Sequence, residues 1–214
     1  MSGEHQDSAF ANPSPAGLVA LGTTLIMFFA LLSGRVAPTC LPIFAMWLLG
    51  GFVIQIVVGI IELRINNILG GNLFTWFSGY FMLATGLAML MEYFGGHAGL
   101  KFDGTIEGWG WIGLTLAQIL WSPAFFKRTP LYLNLIMMAM ITSSIFITLM
   151  KLDWVSPAIC APIAAWLSLI AGCLGLWWSG VICINWAFER EVIPNPGPIL
   201  SGHTPRGNTG VPRA

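Results

Sequence analysis

Charge is what this chain has least of. Nine basic and nine acidic residues are spread over 214 positions, a charged share of 8% against roughly 25% in an ordinary soluble domain. The few charges are also confined, because none falls in the stretches 8–34, 36–61, 65–91, 108–126, 129–150 and 154–188. A water-soluble globule places charge along every surface helix, so this segregation excludes one. With net charge zero there is no basic face for a polyanion, and no nucleic-acid partner is expected. Histidine is scarce too. His5, His97 and His203 fall in tails or a loop, which removes the commonest general base from the long uncharged stretches. The four cysteines, Cys40, Cys160, Cys173 and Cys183, form no CxxC and lack a nearby His pair; they read as small apolar packers rather than a metal site. No GxSxG, HExxH, GxGxxG or Walker pattern occurs. Neither an enzyme, nor a bound cofactor, nor ATP-driven transport is expected.

What fills the space is apolar: 56% of residues are hydrophobic. A helix needs roughly 20 mostly apolar residues to cross about 30 Å of hydrocarbon. Each uncharged stretch holds one such span, and none holds two with a turn. Inside the stretches the pattern is neither strand-like nor amphipathic; it is apolar all round and dotted with Gly, Ser and Thr, as in bundled membrane helices. The expectation is an all-α membrane protein, a six-helix bundle with spans near 14–33, 40–62, 73–93, 108–126, 130–150 and 160–188. A tail of residues 1–11 precedes the membrane domain of residues 12–193. Residues 194–214, rich in Pro, Gly and Thr, read as a disordered tail. Six spans put both termini on one side, with Arg64, Lys127, Arg128, Arg190, Arg206 and Arg213; Arg35, Lys101 and Lys151 fall on the other. That asymmetry predicts both termini in the cytoplasm. The first residues, MSGEHQDS, lack a basic n-region, which favours a plasma or bacterial inner membrane over a targeted one.

Within the spans the chemistry rests on uncharged polar groups. Asn12-Pro13-Ser14-Pro15 opens the first span, with Asn as a strong N-cap and Pro preorganised for the first helical position. A helix start offers N–H groups and a positive dipole end, which suits a small anion. Gln55 and Glu62 are seven apart, two turns on one face of the second span. Glu62 reads either as part of a path or as a solvated partner of Arg64, and Gln55 as helix glue or as path lining. Thr75, Ser78 and Thr85 dot the third span, and Asn134, Thr142, Ser143, Ser144 and Thr148 the fifth. Most hydroxyls of this kind bond back to their own helix. From the residues alone, this is a six-helix pore or carrier for something small.

Three local patterns sharpen that. Asn12-Pro13-Ser14-Pro15-Ala16-Gly17-Leu18 resembles the Asn-Pro-Ala-Pro-Leu-Gly-Leu signature of the acetate uptake transporter family. Gly50-Gly51, Gln55, Gly59, Glu62, Gly71-Asn72 and Phe74-Thr75 are similar to that family's second span and its entry into the third. Asn185-Trp186-Ala187-Phe188-Glu189-Arg190-Glu191-Val192-Ile193-Pro194 resembles its closing Asn-x-x-Phe-x-Arg-x-Val-Leu-Pro. The resemblance spans about residues 11–198. It implies a homo-hexamer whose protomers each carry a central path, and passage of acetate, or succinate, together with protons. It implies an apolar constriction at Leu21 and Phe77, with a third member at Ala139 or Met140, and a selectivity position at Gly175. The chain departs from the family at this constriction. The usual Phe-Thr-Ser-Tyr-Gly is Phe74-Thr75-Trp76-Phe77-Ser78 here, and Leu21 replaces a Phe.

The expected mechanism gathers acetate at Asn12 and the first-turn N–H groups, passes it to Gln55, Thr75 and Ser78, and carries it past Leu21 and Phe77 as the un-ionised acid. Two other readings remain open: a channel for neutral solutes such as urea or ammonia, and a non-transporting membrane sensor or scaffold.

Overall fold

The computed structural model describes residues 10–200, and among them there is helix but no strand. Expectations for residues 1–9 and 201–214 lie outside the described residues. Six long helices follow one another: α1 (Ser14–Leu32), α2 (Leu41–Arg64), α3 (Ile68–His97), α4 (Thr105–Arg128), α5 (Leu131–Lys151) and α6 (Pro157–Ala187). A single 3-10 turn at Pro38–Cys40 leads into α2. Five of the six are long and apolar enough to cross a membrane. The other, α4, interleaves Gly, Trp, Gln118, Ser122 and Pro123 among its apolar residues, yet its 24 residues reach about 36 Å at 1.5 Å each. Large apolar side chains such as Trp47, Val57, Leu120 and Ile170 point outward, as a bilayer-facing surface requires.

Local chemistry sets the helix ends. Pro15 lies in the first turn of α1, where its missing N–H costs nothing. At the end of α2, Asn66 takes a left-handed conformation (φ 61°), and the Asn67 N–H reaches back to the Glu62 carbonyl at 2.9 Å. That closure turns the chain at once into α3, where the Asn67 side chain accepts from Gly70 N at 3.2 Å. The expected start of the third span near residue 73 is therefore five residues late. In α6 the Ser156 hydroxyl oxygen accepts from Ala158 N.

The helices form a closed ring in the order α3, α2, α1, α6, α5, α4. Trp76 against Trp121 and Phe81 against Trp111, with ring centroids 6.1 Å apart in both pairs, close it between α3 and α4. Small residues set the tightest contact. A Cβ added at Gly22 would lie 2.8 Å from the Gly172 carbonyl, and one at Gly172 would lie 2.9 Å from the Gly22 carbonyl. Only glycine lets α1 and α6 approach this closely.

At the end away from the chain termini, Lys151 of α5 pairs with Glu107 of α4 and lies 3.9 Å from Glu92 of α3. The four cysteines are all free. Residues 194–200, expected to be disordered, instead run along the terminal end of the bundle. Leu131 N donates to the Pro196 carbonyl, Leu200 N donates to the Phe126 carbonyl, and the Tyr132 hydroxyl donates to the Pro194 carbonyl.

Candidate functional site

A cavity of about 580 Å³ enters the ring from the end that carries both chain termini. Its mouth is polar, formed by Asn12, Glu62, Asn66, Asn67, Arg128, Thr129, Asn185, Glu191 and Asn195. Its depth is apolar, lined by Leu18, Leu21, Phe74, Phe77, Ile136, Met137 and Met140, with Gln55 and Trp178 as the inner polar groups. Five helices build the wall; α4 contributes only Arg128 at its end.

Beyond the cavity the interior is filled with rings. Phe77 meets Phe81 at 5.2 Å, Phe81 meets Phe28 at 5.2 Å, and Phe28 meets Phe44 edge-on at 4.8 Å. Leu21 and Phe28 are seven positions apart on α1, so the apolar plug extends about 10 Å past the floor of the cavity. In α3 the segment Phe77–Ala84 winds as a π-helix, a rare form that concentrates at functional sites. Both Phe77 and Phe81 lie on it.

The expected site residues divide into two groups. Asn12, Leu21, Gln55, Glu62, Phe77 and Met140 line this one cavity; Met140 does so and Ala139 does not. Pro13, Thr75, Ser78 and Gly175 are not in its wall. Thr75 donates its hydroxyl to the Gly71 carbonyl, and Ser78 donates to the Thr75 carbonyl at 2.6 Å. Each hydroxyl is spent on its own helix, and of the three residues expected to pass a cargo inward only Gln55 lines the cavity. Gly175 packs against α1, 3.5 Å from the Leu18 carbonyl for an added Cβ.

Two further expectations change at the mouth. The first three residues of α1 have no spare N–H for an anion. Asn12 Oδ1 already accepts from Ser14 N at 2.9 Å, Ala16 N donates to the Pro13 carbonyl at 3.1 Å, and Pro15 has no N–H. Glu62 is also not a solvated partner of Arg64. It is 1% exposed, accepts from the Ser14 hydroxyl through Oε1, and accepts from Asn67 Nδ2 through Oε2 at 2.6 Å. The carboxylate thus sits between the starts of α1 and α3, where two helix dipoles favour negative charge. The protein's own acid occupies the place foreseen for a captured anion.

Sequence reading passed over Trp178, Asn67 and Arg128, and took Asn185 only as part of a motif. Asn185 holds the chain end across the mouth. Its Oδ1 accepts from Val192 N and Ile193 N, each at 2.9 Å, and its Nδ2 donates to the Ile193 carbonyl at 2.8 Å. The signal was periodic: Trp178, Val181, Ile182 and Asn185 recur at i, i+3, i+4 and i+7, one face of α6, and all four line the cavity.

No family model matches the chain, and no curated protein matches it. Among solved structures it is similar to the bacterial acetate channel SatP, with a TM-score of 0.75 and 19% sequence identity over 87% of this chain and 99% of that one. The chain has the fold of SatP. The match extends over nearly the whole length of that protein, so the ring of six helices is a shared architecture. This is a multi-pass membrane protein with the fold of SatP.

Proposed function

We propose that the chain carries acetate, or a similarly short carboxylate such as succinate, across a membrane by way of this cavity, accompanied by a proton. The observation that carries the reading is the cavity's profile. A polar vestibule open at one end narrows to Leu21, Phe77 and Met140 and stops at a plug of tilted and edge-on rings, within the fold of SatP. At the plug a bare carboxylate exchanges its hydration for hydrocarbon, which costs several kcal/mol even after relaxation. Protonating a short carboxylic acid, whose pKa lies a little below 5, costs about 3 kcal/mol at pH 7, at 1.36 kcal/mol per pH unit. Crossing as the un-ionised acid is the cheaper route.

Six antiparallel spans place Arg64, Lys127, Arg128 and Arg190 at the vestibule end, beside the chain termini. The excess of basic residues there supports a cytoplasmic vestibule in a plasma or bacterial inner membrane. A homo-hexamer is the assembly that the sequence resemblance favours.

The test is labelled-acetate flux into liposomes at pH 5 and pH 8. Uptake should be far faster at pH 5, because the un-ionised fraction falls about tenfold per pH unit above the acid's pKa. Equal rates at the two pH values, or flux no greater than that of bare lipid, refute the reading. Inhibition by a tenfold excess of urea would favour a neutral-solute channel instead.

A further inference from the structure

We propose that Trp178 and Gln55 form a donor–acceptor pair that grips the un-ionised carboxyl group of the substrate just below the apolar plug. The inference deepens the transport reading above and rests on it.

Gln55 is fully buried. Its Nε2 donates to the Gly17 carbonyl at 3.3 Å, and its Oε1 has no partner. Trp178 is 8% exposed, and its indole N–H has no partner. Buried polar atoms are almost always paired; three orphans belong to this cavity's lining, Asn195 Oδ1 at the mouth and those of Gln55 and Trp178 deeper in. The deeper two also lie at one height. Gln55 is tied to Gly17, and Trp178 precedes Ser179, whose hydroxyl donates to the Pro15 carbonyl at 3.0 Å. Residues 15–17 are four to six positions before Leu21, about 6–9 Å along α1.

The deeper orphans are of opposite type, one donor and one acceptor. A carboxylate can only accept; it satisfies the indole but sets its lone pairs against Gln55 Oε1. A –COOH group offers both halves, its carbonyl oxygen accepting from Trp178 and its O–H donating to Gln55. The charged residues that line the cavity, Glu62, Arg128 and Glu191, all belong to the mouth, so none compensates an anion at this height. The pair therefore selects the protonated substrate before it reaches the rings, and is a specificity determinant rather than a general anion trap.

The probe is acetamide, a neutral isostere that presents a carbonyl and N–H donors and does not titrate. In liposomes holding the intact protein, acetamide should inhibit labelled-acetate uptake. Trp178→Phe, which keeps the ring and deletes the donor, should weaken that inhibition about tenfold, or ~1.4 kcal/mol. With 15N-labelled tryptophan, one indole resonance should move on addition of acetamide, and that resonance should be missing from the variant. If acetate is carried but acetamide neither competes nor moves an indole resonance, the orphans are satisfied by water and the pair does not exist. Unchanged inhibition in Trp178→Phe overturns it equally. If the protein carries no acetate while the indole resonance still responds, the pair stands and the transport reading falls.

Discussion

Glu62 supports the fold and, on the proposed function, should oppose an anionic cargo, and a pair of substitutions separates the two effects. Its carboxylate accepts from the Ser14 hydroxyl and from Asn67 Nδ2. Hydrogen bonds to charged groups contribute about 1.5–3 kcal/mol each. Ser14 and Asn67 are half-buried at the mouth and can turn to water, so Glu62→Ala should cost near the lower bound for two bonds, about 3 kcal/mol. At about 2–4 °C per kcal/mol for a chain of this size, melting should fall by roughly 6–12 °C. Glu62→Gln keeps both contacts, its Oε1 accepting from Asn67 and its Nε2 donating to Ser14, and should lose about half as much. Both variants remove a negative charge from the entrance. Two carboxylates ~8 Å apart repel by about 0.5–2 kcal/mol for an effective dielectric between 80 and 20, so apparent affinity for acetate should rise roughly two- to thirtyfold, and the gain should shrink in high salt. Stability and affinity thus move in opposite directions. Melting in detergent reads the first, and the KM of labelled-acetate uptake at low and high salt reads the second. A higher KM in Glu62→Gln, or equal destabilisation by the two variants, refutes this account.

At the floor of the cavity, Leu21→Trp should block acetate flux and Leu21→Ala should raise it, both read in liposomes; a scaffold without a path would be indifferent to either. Asn185→Ala removes three bonds to residues 192 and 193, about 2–4 kcal/mol, so amide exchange across 192–200 should quicken while the core of α6 stays protected. In the loop after α3, the Thr105 hydroxyl and then the Thr105 backbone N–H hold the Asp103 carboxyl below its ordinary value of 3.8. A depressed folded pKa stabilises above the unfolded value, and that contribution is lost as pH falls through the folded one. Carboxyl NMR titration should therefore find Asp103 shifted down in the native chain and returned toward 3.8 in Thr105→Ala.

The six long helices were legible because charge cannot enter hydrocarbon, and eighteen charges leave six gaps. Span ends were less so: Gly70-Gly71 looks like loop, and only the Asn67 cap shows that α3 begins before it. Leu21, Phe77 and Gln55 were foreseen on the cavity because motif spacing fixes helix phase. Thr75 and Ser78 were misjudged because phase does not tell whether a hydroxyl turns inward or back to its own carbonyl. Glu62 read as either a path residue or a solvated partner of Arg64, because Arg64 lies two positions on in sequence. The two donors that bury it come from other segments, and no local pattern announces them. Trp178 was hidden for a plainer reason: of ten tryptophans, two bury an indole N–H without a partner, Trp76 and Trp178, and only three dimensions show that Trp178 is the one on the cavity.

The π-helical stretch Phe77–Ala84 bears on how this chain lines up with its relatives. Such a stretch accommodates one residue more than an α-helix of the same height. A relative whose third span is α-helical throughout would carry one residue fewer here, and everything downstream would face the same neighbours only across a single-residue gap. An ungapped comparison of two such chains would rotate Thr85–His97 by about 100° and pair bilayer-facing positions with buried ones. The same arithmetic makes a one-residue deletion within 77–84 a sharper perturbation than most substitutions, since it turns the half-helix that follows without altering any side chain in it.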